Sequence, residues 1–178
     1  MSTLKPISKE SVPHSLDKAE RYRLSNEPFF AESICRDVLA VAPEDQRALI
    51  IFILALTDPF AQSLHSVDVG AQRAAKASLR LESEYDRLYY SGIVAERRAT
   101  AILHQEGHGG TGSAWHHIED AMRFFEKADA LQTDPAHDDA VLRYCDIRQA
   151  RRLLPFGADR HAARPPLAHA QITRRFAS

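Results

Sequence analysis

A chain of 178 residues, 44% apolar and 26% charged, has the balance of an ordinary globular protein and is long enough to bury a core without staples. Its two cysteines, Cys35 and Cys145, build neither a disulfide framework nor a paired zinc knuckle, and residues 1–13 carry no apolar run of the secretory kind. The net charge of −1 hides an asymmetry, because from residue 143 onward eight arginines face only Asp146 and Asp159, and the remainder is acidic.

With 7 glycines and 9 prolines, most of them at segment ends, the chain keeps long stretches free for helices. Residues 1–13 read as a disordered lead. Ser15 suits the N-cap of a first helix over about 15–26, whose Leu16, Ala19 and Tyr22 share a face. Asn26 and Pro28 end it, and Pro28 fits the first turn of a second helix over about 28–41, where its missing N–H costs nothing. Ala31, Ile34, Cys35 and Val38 form that helix's apolar side, and Pro43 stops it.

Residues 48–56 are apolar all round. A lone strand there would leave its backbone unpaired, so the run is predicted to be a buried central helix over about 45–57, with Glu44 and Asp45 suiting its start. It is about half the length that a membrane span needs. Asp58-Pro59 breaks it. A fourth helix is expected over about 67–81, with Val67, Ala71, Ala74, Ala75 and Leu79 inward. A fifth, over about 84–105, carries Tyr85, Leu88, Gly92, Ala95, Ala99 and Ile102 in one stripe, with Tyr89, Ile93 and Leu103 in a second. So wide an apolar side packs on two neighbours at once.

Residues 106–113 hold four of the seven glycines and read as a loop. Ser113 suits the cap of a sixth helix over about 114–131. Trp115, Ile118, Met122 and Phe125 form a row along it, and Ala114, Ala121 and Ala128 permit a close neighbour. A seventh spans about 137–154, with Ala140, Tyr144, Ile147 and Leu154 inward, and Pro155 stops it. The basic remainder, broken by Pro165-Pro166, reads as a flexible tail over 157–178 with a short helical turn near Ile172. Both cysteines fall on or beside apolar faces and are expected to be buried.

Two stretches resemble tetratricopeptide repeats. One runs Ala19-x-x-Tyr22, Ala31, Val38, Pro43. The other runs Leu88-x-x-x-Gly92, then Ala121-Met-x-x-Phe125-x-x-Ala128, closed by Pro135. Small residues at crossings let antiparallel helices approach, and a proline turns the chain into the next pair. The first match lacks the family's tryptophan, the second is interrupted by the glycine loop, and the helix over 67–81 falls outside a strict repeat. The resemblance implies an all-α fold of about seven helices, in antiparallel pairs stacked as a short solenoid over 14–156. It also implies a scaffold with a face for a peptide or helix of a partner protein, and the isolated cysteines and the lack of a secretory run read as cytoplasmic. Spacing assigns Tyr22, Tyr89, Glu96 and Arg97 to that face.

Other constellations are weaker. Gly107-x-x-x-x-Gly112 has the glycine spacing of a phosphate loop, but Ser113 and Ala114 stand where lysine and a hydroxyl are needed, and the segment follows a helix instead of a strand. His104, His108, His116 and His117 gather nearby. Gly107 interrupts the helical spacing of the first two, so no converging ligand set emerges and no metal or cofactor is assigned. A ligand- or metal-responsive protein using residues 104–117 is the alternative reading. Glu96 borders the apolar stripe and suits an ion pair with Arg123 or Arg143; no second acid or nucleophile has a defined place beside it, and no catalytic residue is assigned. Arg143, Arg148, Arg151 and Arg152 suit a helix C-terminus, and without interleaved aromatics they argue against nucleic acid.

Overall fold

A computed structural model describes residues 7–61, 67–106, 111–132 and 138–153. The described residues form seven α-helices and no strand: α1 (Val12–Leu24), α2 (Pro28–Val41), α3 (Gln46–Thr57), α4 (Val67–Ser78), α5 (Glu84–Glu106), α6 (Thr111–Leu131) and α7 (Asp139–Leu153). The glycine stretch 107–110, with His108, and the tail 157–178 lie outside them.

Each helix packs on the next, α5 on α6 most extensively, and α3 also touches α1 and α5. Three apolar clusters result. Val12, Leu16, Ala19, Ala31, Cys35, Val38 and Ala48 join α1, α2 and one side of α3. Leu49, Ile53, Leu56 and Phe60 meet Ala71, Ala74, Leu81, Val94 and Ala101 in the middle. Ile93, Ala99 and Ile102 of α5 meet Ile118, Ala121, Phe125 and Ile147 beyond it. The all-round apolar run of α3 is therefore a helix shared between clusters, as the pairing argument required. The wide apolar side of α5 likewise serves two clusters, Val94 and Ala101 facing one and Ile93 and Ala99 the other.

Local chemistry sets the ends. α1 closes on Asn26 at φ 60°, with Glu27 N–H donating to the Tyr22 carbonyl (2.9 Å) and Asn26 N–H to that of Arg23 (3.1 Å). This is the crossed pair of bonds that ends a helix through a left-handed residue, here asparagine in glycine's place. Pro28 opens α2, and the Asp45 carboxylate caps α3 by accepting from Ala48 N–H at 2.8 Å.

Four expectations need correction. Regular structure is present before residue 14: a 3-10 turn, Lys9–Ser11, leads into α1 at Val12, which is buried with Ile7 packed against its cluster. Ser15 thus lies inside α1, and the buried side chain at Val12 decides the start. α4 stops at Ser78, Leu79 beyond it is exposed, Ala75 within it faces outward, and the turn that follows buries Leu81 instead. α6 begins at Thr111, so Ser113 sits in its first turn and not at its cap. Cys145 is exposed, since α7 presents that side away from α6, whereas Cys35 is buried and its thiol is pushed up to about 12 by burial.

Candidate functional site

The alternation of packing divides the helices into two sets. Each neighbouring pair within the odd-numbered set is tied by polar side chains. Arg47 of α3 pairs with Asp17 (2.8 Å) and Glu20 (2.9 Å) of α1. Arg97 of α5 donates to the Leu54 carbonyl (3.2 Å) and to Thr57 Oγ1 (2.5 Å) at the end of α3, and pairs with Asp58 at 2.7 Å. Arg23 of α1 reaches the second Asp58 oxygen at 3.5 Å. Arg143 of α7 grips both Glu96 oxygens of α5 through Nη1, at 3.0 and 3.1 Å. The even-numbered set has its own tie, Arg73 of α4 on Glu32 of α2 at 2.7 Å.

The polar seam of the odd helices therefore runs Arg23, Asp58, Arg97, Glu96, Arg143. Its electrostatics reflect partial burial. The Glu96 side chain is only 7% exposed. Burial pushes its carboxyl above the usual carboxylate range, and Arg143, with Arg97 near by, offsets only part of that push. Burial also lowers Arg97, against the pull of Asp58, with Arg143 and Arg23 adding to the lowering. Arg143 moves up because Glu96 and Tyr89 together outweigh the effect of its own burial. Such a pair is held by geometry as much as by energy, since two desolvated charges return most of their Coulomb gain.

Aromatic side chains flank the seam. Tyr85 stacks on Tyr89 at 5.8 Å, Tyr90 meets Tyr89 edge-on at 5.2 Å, and Phe125 of α6 lies 5.8 Å from Tyr89 on its other side. At the far end Tyr22 contacts Phe30 at 5.4 Å, with the Lys18 ammonium over its ring. Phe29 and Phe30, beside it on α2, are exposed.

The four residues assigned from spacing thus fall in three places. Tyr89 and Glu96 come together through Arg143, which bonds both. Arg97 follows Glu96 in sequence but points toward α3 and Asp58. Tyr22 stands apart on α1, packed against the first cluster. Sequence reasoning missed Asp58 and Thr57, having read Asp58-Pro59 only as a break, and it had no signal for Arg23. Of the two partners offered for Glu96, the structure takes Arg143, while Arg123 pairs with Asp120 one turn away on α6. His104 and His116 are exposed and His117 is half-buried, its imidazole lowered by burial and by Arg98. Among the described residues no group of three or more His, Cys, Asp or Glu side chains is placed to hold a metal.

Fold and site together define an all-α protein of seven described helices in which ion pairs order one face. Among the described residues no helix is long and apolar enough to cross a membrane. The sequence matches no protein-family model, and neither a curated protein nor a solved structure matches it.

Proposed function

We propose that the chain is a non-catalytic interaction module, a degenerate tetratricopeptide-like stack whose odd-numbered helices form the face for a peptide or helix of a partner protein. The observation that carries this reading is the seam. Among the described residues each guanidinium of Arg23 and Arg97 meets its partners through one terminal nitrogen. The Arg143 side chain is 40% exposed, so donors held in place by buried Glu96 and half-buried Asp58 remain available to a ligand. Tyr22 and Tyr89 add half-buried aromatic surface, the kind that dominates recognition energy. The repeat-like residues meet as close helix pairs require. Ala19, Ala31 and Val38 are fully buried in one cluster, and the Phe125 ring fills the space where a Gly92 side chain would stand.

Selection from a random peptide library, followed by titration of the selected peptides, tests the reading. Affinity should fall about tenfold or more on Tyr89→Ala. It should be unmoved by Lys76→Glu on α4, an exposed position on the even-numbered set. Loss of affinity on Lys76→Glu with none on Tyr22→Ala or Tyr89→Ala would assign binding to the other face. A library that yields no binder would remove the reading.

A further inference from the structure

α2 and α4 pack chiefly on α3 rather than on each other. Near their starts Arg73 pairs with Glu32 at 2.7 Å. Near their ends Arg80 donates to the Pro43 carbonyl and meets Glu44 at 3.3 Å. The ties follow the same order along both segments, so the two helices run side by side in one direction. Between them lies a groove floored by half-buried Leu39 of α2 and Phe52 of α3, each packed against both the first and the middle apolar clusters. The Arg73 guanidinium stands over the Phe52 ring at 5.5 Å. Phe29, Glu32, Arg36 and Leu39 recur at helical spacing along one wall. Val69, Arg73 and Lys76, with Arg80 just past the end of α4, recur along the other. Phe29 and Val69, 67% and 62% exposed, each stand one turn before the Glu32–Arg73 pair and bracket the open end of the groove.

The walls are basic. Arg36, Arg73, Lys76 and Arg80 face Glu32 and Glu44, two cations in excess within a chain whose net charge is −1. Glu32 is already engaged by both Arg73 and, at 3.7 Å, Arg36. The other acids within α2 and α4 look elsewhere. Asp68 pairs with Arg98 of α5 at 2.5 Å. Asp37 lies seven residues from Phe30, on the side of α2 that meets α1 through the Phe30–Tyr22 contact. The wall from Val69 to Arg80 is about 16 Å long, the length of three helical turns.

We propose that the groove between α2 and α4 docks an acidic amphipathic helix of a partner protein. Its apolar side sits on Phe29, Val69, Leu39 and Phe52, and its carboxylates meet Arg36, Arg73, Lys76 and Arg80. Nucleic acid fits less well, because the Glu32 carboxylate stands within the row of cations and the open end of the groove is apolar, whereas a backbone of phosphates asks for unbroken positive charge. The groove belongs to the even-numbered helices and involves none of the residues of the odd-numbered seam, so the two readings stand or fall separately.

The probe is a fluorescein-labelled three-turn peptide with leucine every three or four residues and glutamates on both sides of that row, titrated by anisotropy against the full chain. It should bind saturably, one to one. Affinity should fall about tenfold or more in an Arg36→Glu/Lys76→Glu variant and also in a Phe29→Ser/Val69→Ser variant. Absence of binding would overturn the proposal. An unchanged affinity in the serine variant would overturn it by reducing the interaction to bare charge, as would equal binding of the same peptide with lysine in place of glutamate. A single-stranded oligonucleotide of the same charge that binds the parent more tightly than the peptide would overturn it by assigning a polyanion surface. All four substituted side chains are exposed. A circular dichroism spectrum and melt of each variant, matching the parent, keeps a loss of fold from being read as a loss of docking.

Discussion

α3 and α7 are helices of similar length that obey the same backbone rules, yet they contribute to the molecule in opposite ways. α3 touches helices on both sides and buries seven of its twelve residues, so its apolar run has partners in every direction. α7 is amphipathic, rests on α6, and is joined to α5 by an ion pair whose guanidinium remains partly in water. What differs is the number of neighbours. A central helix draws its stability from tertiary burial, whereas a terminal one depends on a single seam and opens more readily.

Charge placed on each helix should separate them most sharply. Ile53→Asp puts an unpaired carboxylate in the middle cluster, a cost of several kcal/mol against a total stability of about 5–15 kcal/mol. The cooperative melt should disappear. Ile147→Asp should instead detach α7 alone, with the melt of α1–α6 retained and hydrogen exchange raised only in residues 138–153. If both variants unfold the whole chain, α7 is as integral as α3 and the contrast fails.

The seam between α5 and α7 is the next place to press. Arg143→Ala leaves Glu96 buried without its partner. It should cost about 2–4 kcal/mol, below the full value for a buried pair because Arg143 is partly exposed. Glu96→Gln in the same chain should recover much of this loss in urea denaturation. The sign of the pH dependence follows from the upward shift of Glu96. The folded state holds that proton more tightly than the unfolded state, so the contribution is fully present at pH below the usual carboxylate range and is lost as pH rises through the raised value. Parent stability relative to the single Glu96→Gln variant should therefore decline as pH rises across that window. A flat difference would mean that Glu96 is not desolvated.

A smaller effect tests the most extensive contact, between α5 and α6. A Cβ on Gly92 would meet the Phe125 ring at 2.6–2.9 Å, and the obstacle is a buried aromatic with little freedom to move. Gly92→Ala should cost about 1–3 kcal/mol despite alanine's better helix propensity. A thermal melt shows the loss, and Phe125→Leu in the Gly92→Ala background should cost less than it does alone. The smallest effect lies at the α1–α2 turn. Asn26→Ala should lower stability by about 1 kcal/mol, because φ 60° strains a side chain without asparagine's tolerance of that region. Asn26→Gly should be neutral or slightly stabilising in the same melt.

Legibility in the sequence followed the range of the forces. Helix positions came from local pattern: 3.6-residue periodicity, Pro28 and Pro43, Asn26, and the aspartate that caps α3 at position 45. These depend on residues within one or two turns of each other, so the sequence by itself determined the seven helices and the all-α class. The Gly92–Phe125 contact was also foreshadowed, since small residues at helical spacing announce a close crossing. The start of α1, the end of α4 and the exposure of Cys145 were not legible, because each depends on which neighbour covers which side. The seam was legible only in part. Glu96 was conspicuous as an acid at an apolar border, and Arg143 was one of two partners offered for it. Asp58 and Arg23 are 35 residues apart, and Arg97, which pairs with the same carboxylate, stands on α5. No local pattern links such charges. Tertiary packing alone decided their pairing, because a Coulomb contact is set by distance in space and by burial, neither of which the order of residues records.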